Sequence, residues 1–89
     1  MQIIRAEALQ PGLINPLARI QHGDTLYIDI DDNSPVSIGD YVLAIDEEEK
    51  PFIACLLQTE PEIVFSTAGQ PCGQLEVYGI LLRIVHNLE

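Results

Sequence analysis

The sequence predicts an all-β domain, a small curved sheet or partly open barrel of about five to seven strands. The first observation is that a Gly-Asp pair opens a strand-like segment twice, at Gly23-Asp24 and at Gly39-Asp40. The second is that apolar and polar residues alternate after the first pair, which is the periodicity of a half-buried strand. The third is that Gly and Pro residues keep the apolar segments short. Together these features favour strands over helices.

The amino-terminal segment, residues 1–22, has the least regular pattern. Residues 6–9 are compatible with a short helix that Pro11 and Gly12 would end. Because Pro16 interrupts the chain again, the stretch before the first Gly-Asp pair is predicted to be a loop or a single turn.

Each Gly-Asp pair is predicted to form a turn that starts a strand. Glycine supplies an unrestricted backbone, and the aspartate caps the turn through its side chain before residues of high strand propensity follow. Residues 26–30 are apolar at every second position, so one face of that strand is expected to be buried. Residues 41–45 are apolar at both parities, which predicts a central strand covered on both faces. Residues 52–58 and 62–66 flank a short Pro-containing turn and are predicted to pair as a hairpin.

The longest apolar run, residues 75–85, is predicted to be the last strand, after a loop over residues 67–74. Gly79 indicates a bulge or bend within it. A plain core strand and an oligomer face are equally good interpretations of this run. The candidate interface residues are Ile80, Leu82 and Ile84.

The length and composition predict one domain over residues 1–89, without a linker or a second domain. A chain this small buries only about 60% of its unfolded surface on folding. Because 47% of the residues are hydrophobic, some apolar surface is expected to stay outside unless another chain covers it. A homo-oligomer, or burial against a related protein, is therefore favoured.

The charge of the chain argues against direct contact with nucleic acid. The formal net charge is −10, from 14 acidic against 4 basic residues, and the basic residues are scattered. Phosphate neutralisation needs clustered Lys and Arg. No secretory signal and no membrane-spanning apolar segment is recognisable, so a cytoplasmic protein without membrane contact is expected.

No metal or other cofactor is expected. Asp29, Asp31, Asn33 and Asp40 superficially follow the spacing of an EF-hand calcium loop. Ser34 occupies the position where that loop needs glycine, and the flanking segments are strand-like rather than helical. Acidic residues beside a turn are the better interpretation, and no Gly-rich loop leads into a helix that would cradle a phosphate.

The usual catalytic side chains show no recognisable constellation. His22 and His86 have no spaced ligand cluster, so zinc binding is improbable and surface positions are expected. Cys55 and Cys72 are expected to be free thiols without a recognisable neighbouring base.

Two longer motifs surround the Gly-Asp pairs, and a strand-like segment over residues 77–85 follows them. In this arrangement the chain resembles the carboxyl-terminal domain of LexA-like and temperate-phage repressors, a self-cleaving serine peptidase family, over roughly residues 15–86. The resemblance implies a β-rich domain that associates with itself and carries a Ser-Lys dyad. The motifs are Ile20-x-x-Gly23-Asp24-x-Leu26-x-Ile28-Asp29 and Pro35-x-x-x-Gly39-Asp40-x-Val42.

The resemblance also shows where the dyad would have to lie. Counting back from Gly23 places Asn15 at the nucleophile position. The strand that would bear the general base matches residues 52–57, which places Ala54 at the position of the base, or Cys55 after a one-residue slip. An asparagine cannot become an alkoxide and an alanine cannot accept a proton, so this register excludes the dyad chemistry. The single lysine, Lys50, lies in the preceding loop.

A domain of this family without its dyad would retain association. The sequence therefore predicts a non-enzymatic oligomerisation module of a phage- or LexA-type transcriptional repressor, which supports cooperative DNA binding indirectly through a homo-oligomer or a related repressor protein. Two alternatives stay open. One is an active self-cleaving or other small hydrolase whose nucleophile is Ser66 or Cys55. The other is a small β-barrel that binds a peptide or a small ligand.

Overall fold

The strands predicted by the sequence belong to one antiparallel sheet in the computed structural model, which describes residues 1–67 and 69–87. The sheet is open and has seven strands in the order β1-β2-β7-β3-β4-β5-β6, and the described residues contain no α-helix. The all-β fold class is thus confirmed. The elements are β1 (Ile3–Glu7), a 3-10 turn (Pro11–Leu13), β2 (Thr25–Asp29), β3 (Tyr41–Ile45), β4 (Pro51–Gln58), β5 (Val64–Thr67), β6 (Gln70–Gly73) and β7 (Gly79–Val85).

The last strand occupies the middle of the sheet. β7 pairs with β2 on one side, where Thr25 lies opposite Val85, and with β3 on the other, where Val42 lies opposite Ile80. Since β2 and β3 are not paired with each other, β7 joins the β1–β2 hairpin to the β3–β6 meander. Both ladders that join the two parts of the sheet are therefore formed by a strand near the carboxyl terminus.

Each face of the sheet carries its own apolar cluster. We call one the Leu26 face, on which Leu26, Ile28 and Ile53 pack beneath buried residues of the 8–20 segment. The other is the Val42 face, whose cluster is covered by side chains from the loops before β3 and before β7. This second cluster consists of Val42, Ala54, Leu56 and Phe65, with Val36, Leu75 and Val77 packed against it.

Both Gly-Asp pairs form the predicted turn. Gly23 and Gly39 have φ angles of 87° and 95°, a region that favours glycine. The carboxylate of Asp24 accepts a hydrogen bond of 2.8 Å from the Gln21 N–H, and that of Asp40 accepts one of 2.8 Å from the Ser37 N–H. The local sequence thus specifies the same capped turn twice, and β2 and β3 begin directly after it.

The sequence did not reveal the two edge strands. Residues 6–9 were compatible with a helix, but Ala6 pairs with Leu26 as part of β1. β6 lies within the predicted 67–74 loop, and the last strand begins at Gly79, four residues later than expected. β1 and β6 lie at the edges of the sheet, and their side chains are mostly exposed on both faces. Their sequences therefore show no clear alternation of apolar and polar residues.

Gly79 is required for close packing and not for a bulge. The bulge of β7 lies three residues further on, where Tyr27 pairs with Arg83 and Ile28 with Leu81, which leaves Leu82 as the extra residue. A Cβ atom on Gly79 would meet Cγ2 of Ile28 and would lie 3.2 Å from the carbonyl oxygen of Asp29. β7 therefore starts with the one residue type that fits against β2.

We expect Gly79→Ala to destabilise the fold by about 1–3 kcal/mol, because the added methyl group overpacks the β2–β7 contact. Urea unfolding followed by circular dichroism measures this loss. In an Ile28→Ala background the same substitution should cost less, since the main obstructing atom is gone. An equal cost in both backgrounds would contradict the packing explanation.

Candidate functional site

Asn15, the residue at the nucleophile position of the resemblance, serves as the cap of a tight turn. Its backbone forms an isolated bridge with Ile20, and its Oδ1 atom accepts hydrogen bonds from the N–H groups of Leu17 at 3.0 Å and Ala18 at 3.1 Å. Asn15 is buried, with 7% of its surface exposed. The side chain thus satisfies backbone donors in a segment that lacks regular secondary structure.

A row of polar side chains crosses the sheet beside this turn. Tyr41 lies opposite Cys55, and Cys55 lies opposite Ser66, so all three point to the Leu26 face. The Tyr41 hydroxyl donates a hydrogen bond of 3.1 Å to the carbonyl oxygen of Leu17. That bond ties the Asn15 turn to β3.

The row and the turn line one cavity of about 300 Å³, which we call the Asn15 cavity. Asn15, Cys55 and Ser66 supply polar atoms, while Leu17 and Leu57 supply apolar wall. The described lining residues include no histidine, lysine or carboxylate. The fold therefore brings the nucleophile position of the resemblance next to β4, with side chains that lack a strong base.

The residue that faces Asn15 from β4 is Cys55 and not Ala54. Ala54 pairs with Val42 and is fully buried in the cluster on the Val42 face. Because successive side chains of a strand point to opposite faces, a one-residue slip determines which β4 side chain lies on the same face as Asn15. Of the two positions predicted for the base, Ala54 therefore points away from Asn15, and Cys55 shares a cavity with it.

The hydrolase alternative has two candidate nucleophiles, Cys55 and Ser66, and neither environment favours a nucleophile. Burial, followed by the nearby Asp40 carboxylate, raises the pKa of the Cys55 thiol above its ordinary value. The thiolate is the nucleophilic form, so this environment weakens Cys55 as a nucleophile. Ser66 is buried, with 8% exposed, and His22 and His86 line a different cavity.

The three candidate interface residues on β7 have different environments. Ile80 is 8% exposed and lies against Val42 in the middle of the sheet, so it is a core residue and cannot contribute an exposed face. Ile84 is half-buried and packs against the cluster of the Leu26 face. Leu82, at the bulge, is 45% exposed and is the member of the set available for contact.

The Val42 face is uncovered over part of β1, β2 and β7. Asp29 and Ile80 are buried on this face, at the end that lies beside the 31–36 loop. Further along these strands the residues that alternate onto the face are exposed or half-buried, and the Arg83 guanidinium lies over the Tyr27 ring, 5.9 Å from its centroid. We call this surface the outer patch. It consists of Ile3, Arg5, Tyr27 and Arg83, with Leu82 beside it in sequence.

Sequence reasoning missed a contact between Asp24 and His86, which are 62 residues apart. The β2–β7 ladder ends with Thr25 opposite Val85, so the residue before β2 meets the residue after β7. Nδ1 of His86 lies 2.8 Å from Oδ2 of Asp24. The hydrogen bond from the Gln21 N–H, reinforced by that from His86, holds the pKa of Asp24 below its ordinary value despite burial. No local pattern could signal this pair, because it depends on which strands are neighbours.

The acidic residues of the rejected calcium motif are engaged by donors of the protein itself. Asp29 is buried and accepts hydrogen bonds from the N–H groups of Gln2 and Asp31 and from the Ser34 hydroxyl, the last at 2.6 Å. These bonds, with that from Ser34 the largest cause, lower the pKa of Asp29. Within residues 1–67 and 69–87, no three His, Cys, Asp or Glu side chains are grouped to hold a metal ion.

We expect Asn15→Ala to cost about 1–2 kcal/mol of stability, since two backbone N–H groups lose their acceptor. Asn15→Asp places a carboxylate oxygen where the amide oxygen accepts these hydrogen bonds, so its loss of stability should be clearly smaller. The free energy of unfolding in urea distinguishes the two. Equal losses for Ala and Asp would show that the cap is not what Asn15 contributes.

We expect the contribution of Asp24 to stability to depend on pH. Its pKa is lower in the folded than in the unfolded chain, so its contribution is present above about pH 4 and is lost as the pH falls through the folded value. The difference in unfolding free energy between the wild type and Asp24→Asn should therefore shrink between pH 5 and pH 2, values at about which carboxylates titrate. Asp32→Asn removes an exposed carboxylate and is the control, with little expected effect. A pH-independent difference for Asp24→Asn would contradict the assignment.

Comparisons with known proteins leave the geometry as the main guide to function. No described helix is long and apolar enough to cross a membrane. No family model and no curated protein matches the chain.

Proposed function

We propose that this chain is a non-enzymatic association module of the LexA and phage-repressor type, which self-associates through the outer patch and supports cooperative DNA binding indirectly. The observation that carries the proposal is the uncovered half of the Val42 face. Loops cover the half formed by β3, β4 and β5, but Ile3 and Leu82 remain 51% and 45% exposed at the other end. Apolar side chains on an open sheet face are typical of a surface that another protein covers.

The occupant that fits the outer patch is a second copy of the chain. Two molecules that each carry a formal charge of −10 repel one another, so they associate best where carboxylates are sparse. Arg5 and Arg83, two of the four Lys and Arg residues, lie on this patch, with Glu7 at its end. The acidic loop of residues 46–49 lies between β3 and β4, on the other part of the sheet.

The connection to repressors is supported by the Gly-Asp motifs and by the Asn15 cavity. In the resemblance, a nucleophile before the first Gly-Asp pair meets a base on the strand that matches residues 52–57, and here Asn15 and Cys55 share a cavity. An amide that caps a turn and a thiol whose pKa is raised are poor substitutes for a Ser-Lys dyad. Association is the property of such a domain that these residues leave intact.

We expect the wild-type domain to sediment as a dimer or larger species at micromolar concentration. Leu82→Asp should weaken this association by about tenfold or more, because a carboxylate at the interface must lose its hydration. Leu57→Asp is a matched control: Leu57 is also a strand leucine that is 45% exposed, but it lines the Asn15 cavity. Sedimentation equilibrium measures both variants.

A stable monomer for the wild type would refute self-association. Equal dispersal by Leu82→Asp and Leu57→Asp would place the interface elsewhere. The hydrolase alternative has a separate test. After incubation at alkaline pH, alone or with a serine-directed probe, mass spectrometry should show neither cleavage nor labelling of a non-enzymatic domain, and a thiol-directed probe should label Cys55 no faster than the exposed Cys72.

A further inference from the structure

A further cavity lies between the 14–22 segment and the end of β7. It has a volume of about 530 Å³, which is in the range of small-molecule sites. Three of its lining residues, Arg19, His22 and His86, are basic. The others are the apolar Ile14, Pro16 and Ile20 and the uncharged Gln21. We call it the His86 cavity.

The charge of this lining is opposite to that of the chain as a whole. Six side chains can carry a positive charge, 4 Lys and Arg and 2 His, and three of them meet here. No Asp or Glu is among the described lining residues, in a chain that has 14 of them. A cavity of this kind attracts an anion even though the surrounding protein is acidic.

The His86 ring is held in one orientation by a buried carboxylate. Asp24 is 2% exposed, and its Oδ2 atom lies 2.8 Å from Nδ1 of His86. An ionised carboxylate only accepts hydrogen bonds, so Nδ1 carries a proton and Nε2 is the nitrogen left for a ligand.

We propose that the His86 cavity binds an apolar carboxylate, with the carboxylate group at Arg19, His22 and His86 and the apolar body against Ile14, Pro16 and Ile20. One guanidinium beside an apolar wall suits a single carboxylate on a hydrocarbon body better than a free phosphate, which the wall would leave poorly solvated. Both a short free acid and the terminal carboxylate of a peptide that ends in an apolar residue have this chemistry.

The test uses amide signals in two-dimensional NMR to follow titrations of the folded domain. N-acetyl-leucine represents a peptide terminus, hexanoate a free acid, N-acetyl-leucinamide the uncharged equivalent, and inorganic phosphate an anion without an apolar body. We expect saturable shifts around the cavity for at least one of the two acids, with the amide and phosphate at least about tenfold weaker, as expected for loss of a charge-assisted bond or of apolar contact. Which acid binds more tightly distinguishes a peptide terminus from a free acid.

Variants locate the binding. Arg19 has a φ angle of 61°, so Arg19→Asn removes the charge with a side chain that tolerates this backbone. It should weaken acid binding about tenfold. His22→Gln should weaken it as well, while Arg83→Gln removes one charge from the outer patch and should leave it unchanged. The proposal is overturned if neither acid binds, if the amide or phosphate binds as well as the acid, or if Arg83→Gln weakens binding as much as Arg19→Asn.

Discussion

The structure depends on the insertion of β7 between β2 and β3. This strand forms both of the ladders that join the amino-terminal hairpin to the rest of the sheet. Its position buries Ile80 against Val42, directs Arg83 onto Tyr27 and brings His86 to Asp24. The outer patch and the His86 cavity are thus both consequences of one long-range pairing. Because such pairing is favourable only after distant segments have met, it should form cooperatively with the core.

The two Gly-Asp pairs form the same capped turn, but their carboxylates have different surroundings. At both sites the turn also pairs with a neighbouring segment: the Gly23 N–H donates to the Ala8 carbonyl, and the Gly39 N–H donates to the Leu56 carbonyl. The difference lies in the surroundings of the carboxylates. Asp24 is buried and meets His86, whereas Asp40 remains partly exposed near Cys55. The turn chemistry is local, but the chemistry of each carboxylate is set by the strand that packs beside it.

Sequence reasoning succeeded where the cause of structure was local. The apolar run at residues 41–45 and the capped turns before β2 and β3 follow from neighbouring residues, and the hairpin of β4 and β5 follows from its flanking turn. β1 and β6 were missed because edge strands bury little and show no alternation. The sequence could not distinguish the buried Ile80 from the exposed Leu82, nor Ala54 from Cys55, because both distinctions need strand order or register. Those are properties of the whole sheet.

The distribution of charge explains how an acidic chain can carry two surfaces with basic side chains, the outer patch and the His86 cavity. At physiological salt the Debye length is about 8 Å, so the net charge of −10 acts weakly at long range and the local charges decide what approaches each surface. Arg5 and Arg83 supply the positive charge of the outer patch, where we propose that a second copy binds, and Arg19 supplies that of the His86 cavity, where we propose an anion. Two carboxylates beside these places, Asp24 and Asp29, are buried and engaged in hydrogen bonds, while Glu7 lies exposed at the end of the outer patch. The fold therefore buries two carboxylates beside the two surfaces at which we propose that a second copy and an anion bind.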